Sequence, residues 1–167
     1  MNSLANQASH HYQRAQVESA TPEKLVLMLY DGAVRKISQA ESHFKRGDTA
    51  EFHSQIVKVQ KIISELMLAL DQDEGGEVVD NLTRLYDYML RQLALALVRK
   101  SPELAIEVRS LLEELRDAWK GAIEEVTRAA ETAEDLQESH PSQQRPTTAE
   151  IQAKVLEPVM AGLNIQG

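Results

Sequence analysis

The 167-residue chain contains no cysteine, which excludes disulfides, thiolate catalysis and cysteine-ligated metals. It has only 5 prolines and 7 glycines, and no alternating run bounded by hairpin turns, so nothing supports a β architecture. No apolar run is long enough to cross a bilayer. The first residues also lack the basic and apolar regions of a signal peptide, and the expected compartment is the cytoplasm. Positive charge is in deficit: 18 Lys and Arg stand against 26 Asp and Glu, a net charge of −8. That balance argues against a general nucleic-acid binder or a polybasic membrane anchor, and it leaves protein partners open.

What the chain does have is helical periodicity. Thr21, Pro22 and Glu23 form a helix start: N-cap, proline at N1 and a carboxylate in the first turn. A first helix is expected to run to about Arg46 on a core stripe of Val26, Leu29, Ala33, Ile37, Ala40 and Phe44. Gly47 stops it and Asp48 starts the second, with Glu51 completing a capping box. The second stripe is Phe52, Ile56, Val59, Ile63, Leu66 and Leu70. After a break at 71–77, a third helix carries Val79, Leu82, Tyr86, Met89, Leu93 and Leu97. Ser101, Pro102 and Glu103 open a fourth with Leu104, Val108, Leu111, Leu115, Ala118 and Ala122, ending near Arg128. Four helices of similar length with short connections imply an all-α, antiparallel up-down-up-down four-helix bundle, with near-heptad spacing giving shallow crossing angles.

The expected organisation is a short N-terminal helical arm over residues 1–20, the bundle over 21–128, and a tail over 129–167. Residues 129–149 lose periodicity and gather Ser, Gln, Pro and acids, the composition of a flexible, disordered linker. Ile151, Val155 and Leu156 restore some amphipathicity before Pro158, in a segment too short to be a stable helix alone.

Recognisable catalytic chemistry is missing. No Glu-x-x-His pair of the di-metal bundles occurs, and the adjacent His10 and His11 point about 100° apart on a helix. The acidic run from Asp71 to Gly76 faintly resembles a calcium loop, but its twelfth position is Leu82 where a bidentate glutamate is needed. No phosphate-cradling glycine loop or Ser/His/Asp spacing appears. The expectation is no catalysis, no metal and no cofactor.

The run Leu25–Tyr30, LVLMLY, is apolar around its whole circumference, whereas a surface helix needs only a stripe. At 100° per residue, Leu27 and Met28 fall about 120–140° from the stripe of the first helix, with Leu25 and Tyr30 flanking it. Tyr88, Leu95 and Val98 miss the third stripe by more than about 120°, and Val57, Leu68 and Ile106 are outliers on the other two helices. Large apolar side chains left in water each forgo roughly 1.5–3 kcal/mol, so a group of them on the first and third helices suggests a contiguous patch. Two readings stay open: the patch is buried by an asymmetric bundle or a homodimer, or it is a groove for an amphipathic helix. Methionine and tyrosine suit the groove, one by adaptable shape and the other by a large apolar body with a polar tip.

The arm Tyr12-Q-R-A-Q-Val17-E-S-A, the run LMLYDGA at 27–33, GGEVVDNLTRLYDYMLRQL at 75–93 and LLEELRDAWK at 111–120 together resemble the flagellin export chaperone family, FliS, over about residues 12–125. The resemblance implies a cytoplasmic bundle that holds the disordered C-terminal region of flagellin in hydrophobic grooves, prevents premature polymerisation and contacts the export gate. It also implies an arm role for Tyr12 and Val17, lying over part of the groove. The residues expected to meet a partner are thus Tyr12, Val17, Leu27, Met28, Tyr30, Tyr88 and Leu95. The alternative is a self-associating bundle serving as a structural or regulatory module. Among motif residues, Tyr86, Met89 and Trp119 are expected in the core, and Gly32 is expected to permit close helix approach. Asp31 with Arg35, and Asp87 with Arg91, have the i,i+4 spacing of surface ion pairs.

Overall fold

The computed structural model describes residues 17, 19–70 and 76–136 of the chain, with side chains as far as residue 130. The four expected helices are present: α1, Pro22–Lys45; α2, Thr49–Leu68; α3, Gly76–Arg99; α4, Pro102–Leu136. Tyr12 and the segment from 137 onward lie outside the described residues.

Local chemistry sets the ends of the helices. Thr21 caps α1 by accepting a hydrogen bond from the Lys24 amide at 3.4 Å, ahead of Pro22. At the other end Gly47 takes a left-handed φ of 77°. Its amide bonds the Phe44 carbonyl at 2.9 Å, and the Asp48 amide bonds the His43 carbonyl at 3.0 Å. These two bonds form a Schellman motif. Asp48 then caps α2, its Oδ1 accepting from the Glu51 amide at 3.1 Å. The expected capping box is only half formed, because the Glu51 carboxylate accepts instead from Gln55 Nε2 at 2.6 Å. The turn after α3 repeats the Schellman pattern, Lys100 amide to Leu97 carbonyl and Ser101 amide to Ala96 carbonyl. Here a lysine rather than a glycine holds the left-handed position, at φ 51°.

The helices pack in a ring, α1 on α2, α2 on α3, α3 on α4, and α4 back on α1. Cross-helix contacts give the directions. Phe44 meets Phe52 edge-on at 5.1 Å and Gly32 faces Ile62, so α1 and α2 are antiparallel. Glu41 meets Arg109, Asp31 meets Arg116, and the Glu23 carbonyl meets Trp119, so α4 also runs antiparallel to α1. This is the up-down-up-down bundle.

The core follows the expected stripes on α2 and, apart from a half-buried Leu97, on α3. On α1, Ala33, Ile37 and Ala40 are buried, whereas Val26, Leu29 and Phe44 are only partly so. Two expectations are corrected on α4. Its buried line is Ala105, Val108, Leu112, Leu115, Trp119 and Ala122. Leu104, Leu111 and Ala118 stand at the edge of the core, partly buried. The two candidate stripes differ by one residue and share three members, and seating the large Trp119 ring inward selects the second. The helix also continues to Leu136 rather than stopping near Arg128. Residues 129–136 are rich in Ala and Glu and contain no Pro or Gly, so helix propensity persists after the apolar periodicity has ended.

Candidate functional site

A ring of four helices has four outer seams, and the described side chains fill them differently. The α1–α4 seam is closed. Arg109 Nη1 donates to Glu41 Oε2 at 2.9 Å and to Ser38 Oγ at 3.4 Å, Arg116 Nη1 reaches Asp31 Oδ1 at 3.5 Å, and Trp119 Nε1 donates to the Glu23 carbonyl at 3.0 Å. Hydrogen bonds from Lys45 and Arg109 hold the Glu41 carboxyl below its ordinary pKa, so it remains an anion facing these cations. Leu27 stands one helical turn from both Glu23 and Asp31, and therefore on this seam. It is partly buried and packs against the core. Its expected outward position is corrected, because α4 covers the side of α1 that a lone helical wheel leaves open. Asp31 likewise turns to Arg116 across the seam, in place of the expected pairing with Arg35.

The α3–α4 seam is different. Tyr88, Gln92 and Leu95 share one face of α3, and Leu104, Glu107 and Leu111 share one face of α4. The Tyr88 hydroxyl donates to Glu107 Oε1 at 2.6 Å and ties the two faces together. Gln92 stands beside the same phenol, while its Oε1 is buried with no partner among the described residues. The Glu107 carboxylate that accepts the proton, and then burial, raise the Tyr88 pKa, with Gln92 acting to lower it, so at neutral pH the phenol is a neutral donor. Tyr88 is nonetheless 36% exposed, and Leu95, Leu104 and Leu111 are half-buried. The seam carries partly exposed apolar side chains with a polar bridge across it.

The α1–α2 seam carries a second apolar strip. Leu25, Met28 and Gly32 share a face of α1, and Gly32 lies against Ile62 of α2. Leu25, Met28 and Ile62 are half-buried, and Leu68 at the end of α2, about 120° round that helix from Ile62, is 79% exposed and faces outward beside the strip. A Cβ added at Gly32 would stand 3.7 Å from Ile62 Cδ1, an ordinary contact. Close helix approach is therefore not what this glycine provides.

The contiguous patch expected over the first and third helices is also corrected. α1 and α3 are diagonal in the ring, so their outer faces look in opposite directions. The apolar surface is two strips on opposite sides of the bundle, with Val98, 81% exposed, at the far end of α3. Tyr30, expected to meet a partner, is 3% exposed. Its hydroxyl meets that of Tyr86 at 2.5 Å across the bundle interior. Val17, 47% exposed, precedes α1. The structure thus brings Tyr88 together with Leu95, places Met28 with Leu25 opposite them, and withdraws Leu27 and Tyr30. Sequence reasoning placed Leu104 and Leu111 on the core stripe, whereas they stand half-buried at its edge, because only the α4 register separates the two positions.

Among the described residues no three His, Asp or Glu side chains stand close enough to hold a metal, and no helix is long and apolar enough to cross a membrane. The sequence model of the flagellar protein FliS family matches residues 4–126. The chain belongs to the FliS family. The match spans the bundle to Val126, the last residue that packs on the core, and stops short of the remainder of α4. The chain is 39% identical to the flagellar secretion chaperone FliS of Salmonella typhimurium over 105 residues, 62% of this chain and 78% of that protein. It is 36% identical to the chaperone FliSB of Pseudomonas aeruginosa over 121 residues, covering 70% and 96% of the two chains. The FliS chaperone of Bacillus subtilis shares 34% over 113 residues, 68% and 84%. Membership of this family, rather than any vacant site, carries the reading of a non-enzymatic protein.

Proposed function

We propose that this chain is a cytoplasmic flagellar secretion chaperone that holds the C-terminal region of flagellin before export, keeps it from polymerising early and presents it to the export gate. The observation that carries the reading is the FliS match over the whole bundle core, together with relatives named as flagellar secretion chaperones. The two apolar seams supply a physical means. A client segment that is disordered when free loses conformational entropy on binding, so it needs a long apolar interface to compensate. A single short seam is too small, whereas a segment wrapping from the α1–α2 strip to the α3–α4 seam reaches both. Tyr88, Leu95 and Met28 are its contacts, with Val17 just ahead of α1 at the same end as Met28; the arm role of Tyr12 rests on the family resemblance.

Calorimetric titration with a flagellin C-terminal segment tests this. The reading expects saturable, stoichiometric binding, weakened at least tenfold by Leu95→Asp or Tyr88→Asp while the helical spectrum is unchanged. No heat of binding to the unaltered chain would sink it. Sizing of the free protein alongside distinguishes client capture from a homodimer that buries the same strips.

A further inference from the structure

The chain continues well past the bundle. α4 advances about 25 Å beyond the level of Trp119, at 1.5 Å per residue, and residues 137–167 follow it. Because α1 and α4 are antiparallel, this exit lies at the end of the bundle where α1 begins and α2 finishes. Leu25, Met28 and the 79% exposed Leu68 stand at that end.

Reach separates the two apolar strips. From Leu136 back to the Met28 end of the α1–α2 strip is about 30 Å, taking helix rise and neighbouring-axis spacing of 8–10 Å. Tyr88 is level with Glu107, about 44 Å along α4 from Leu136. The stretch 137–150 spans at most about 46–50 Å fully extended. It delivers residue 151 to the near strip with slack, and to the far seam only when drawn almost straight, where few conformations remain. The segment that arrives has matching chemistry. Ile151 and Val155 have the i,i+4 spacing that would put them on one face if the segment is helical, with Leu156 next in sequence. Over 151–167 the only charged side chains are Lys154 and Glu157, which cancel, so it meets no repulsion from a chain of net charge −8.

We infer that residues 151–156 occupy the α1–α2 strip at Leu25, Met28 and Ile62, beside the exposed Leu68, in the unloaded chain and yield it to the client. The inference builds on the chaperone reading above. The C-terminal segment covers apolar surface while flagellin is absent, and its displacement lowers the apparent affinity for the client by the fraction of time the strip is closed.

The absence of native cysteine makes a direct test clean. Spin labels on Leu68→Cys and Leu156→Cys in the full chain, diluted with unlabelled protein, should give a short, narrow distance distribution that disappears when a flagellin C-terminal segment is added. In a second full-chain variant, Val155→Asp with Leu156→Asp should bind that segment roughly three- to tenfold more tightly than the unaltered chain. A broad, long distribution, a short one between Leu95→Cys and Leu156→Cys instead, or a short distance lost on dilution would each overturn the inference. Calorimetry on the unaltered chain judges the chaperone reading separately.

Discussion

Tyr30 and Tyr86 share one hydrogen bond in the bundle interior, and each can offer one proton. Removing a single hydroxyl leaves the other buried without a partner, at a cost of about 1–3 kcal/mol, whereas removing both from a well-packed site is nearly neutral. Tyr30→Phe and Tyr86→Phe are therefore expected to destabilise singly and to compensate when combined, read as non-additive shifts in denaturant midpoint. Burial pushes the Tyr30 phenol up to about 12 against an ordinary value of 10.0, with the Tyr86 hydrogen bond acting in the opposite direction. Burial also raises Tyr86 well above its ordinary value, reinforced by Tyr30. A raised folded pKa favours the fold fully below the unfolded value and loses that contribution as pH climbs. Stability should fall from pH about 10 toward 12, more steeply than in the double phenylalanine variant. Leu27 makes a different prediction from Leu95. Because it packs against the core, Leu27→Asp should lower the unfolding midpoint by the equivalent of about 2–4 kcal/mol, while Leu95→Asp affects client binding with little loss of stability.

Individual helices carry their own strain. Lys100 holds a left-handed φ of 51° at the end of α3, a position glycine takes without the Cβ penalty. Gly32, in the interior of α1, has room for a Cβ and carries the entropic cost of glycine in a helix. Lys100→Gly and Gly32→Ala should each raise unfolding free energy by about 0.5–1 kcal/mol in urea titrations. Most element boundaries were legible in the sequence because they rest on local chemistry: Thr21 with Pro22, Gly47 with Asp48, and Ser101 with Pro102. The end of α4 was not, since alanine and glutamate extend a helix after its packing face has ended. Its inward register was not legible either, because two stripes one residue apart fit the same spacing until Trp119 is seated.

For the molecule as a whole, two strips on opposite sides predict that client length matters. A flagellin segment long enough to reach both should bind far more tightly than either half alone, and adding a saturating half should displace the long segment only partly. Competition titrations read this directly, and equal affinities for long and short segments would contradict it. The sequence by itself determined the class, the count and order of the helices, most of the core on α2 and α3, and the family, because periodicity, caps and motif residues are properties of local chain. Only the tertiary structure decided what the apolar remainder means. LVLMLY has no fixed outside until its neighbours are placed: α4 covers Leu27, the interior takes Tyr30 against Tyr86, and Met28 stays half-buried beside α2. A helical wheel measures angles about one axis, whereas exposure depends on which other axes stand around it.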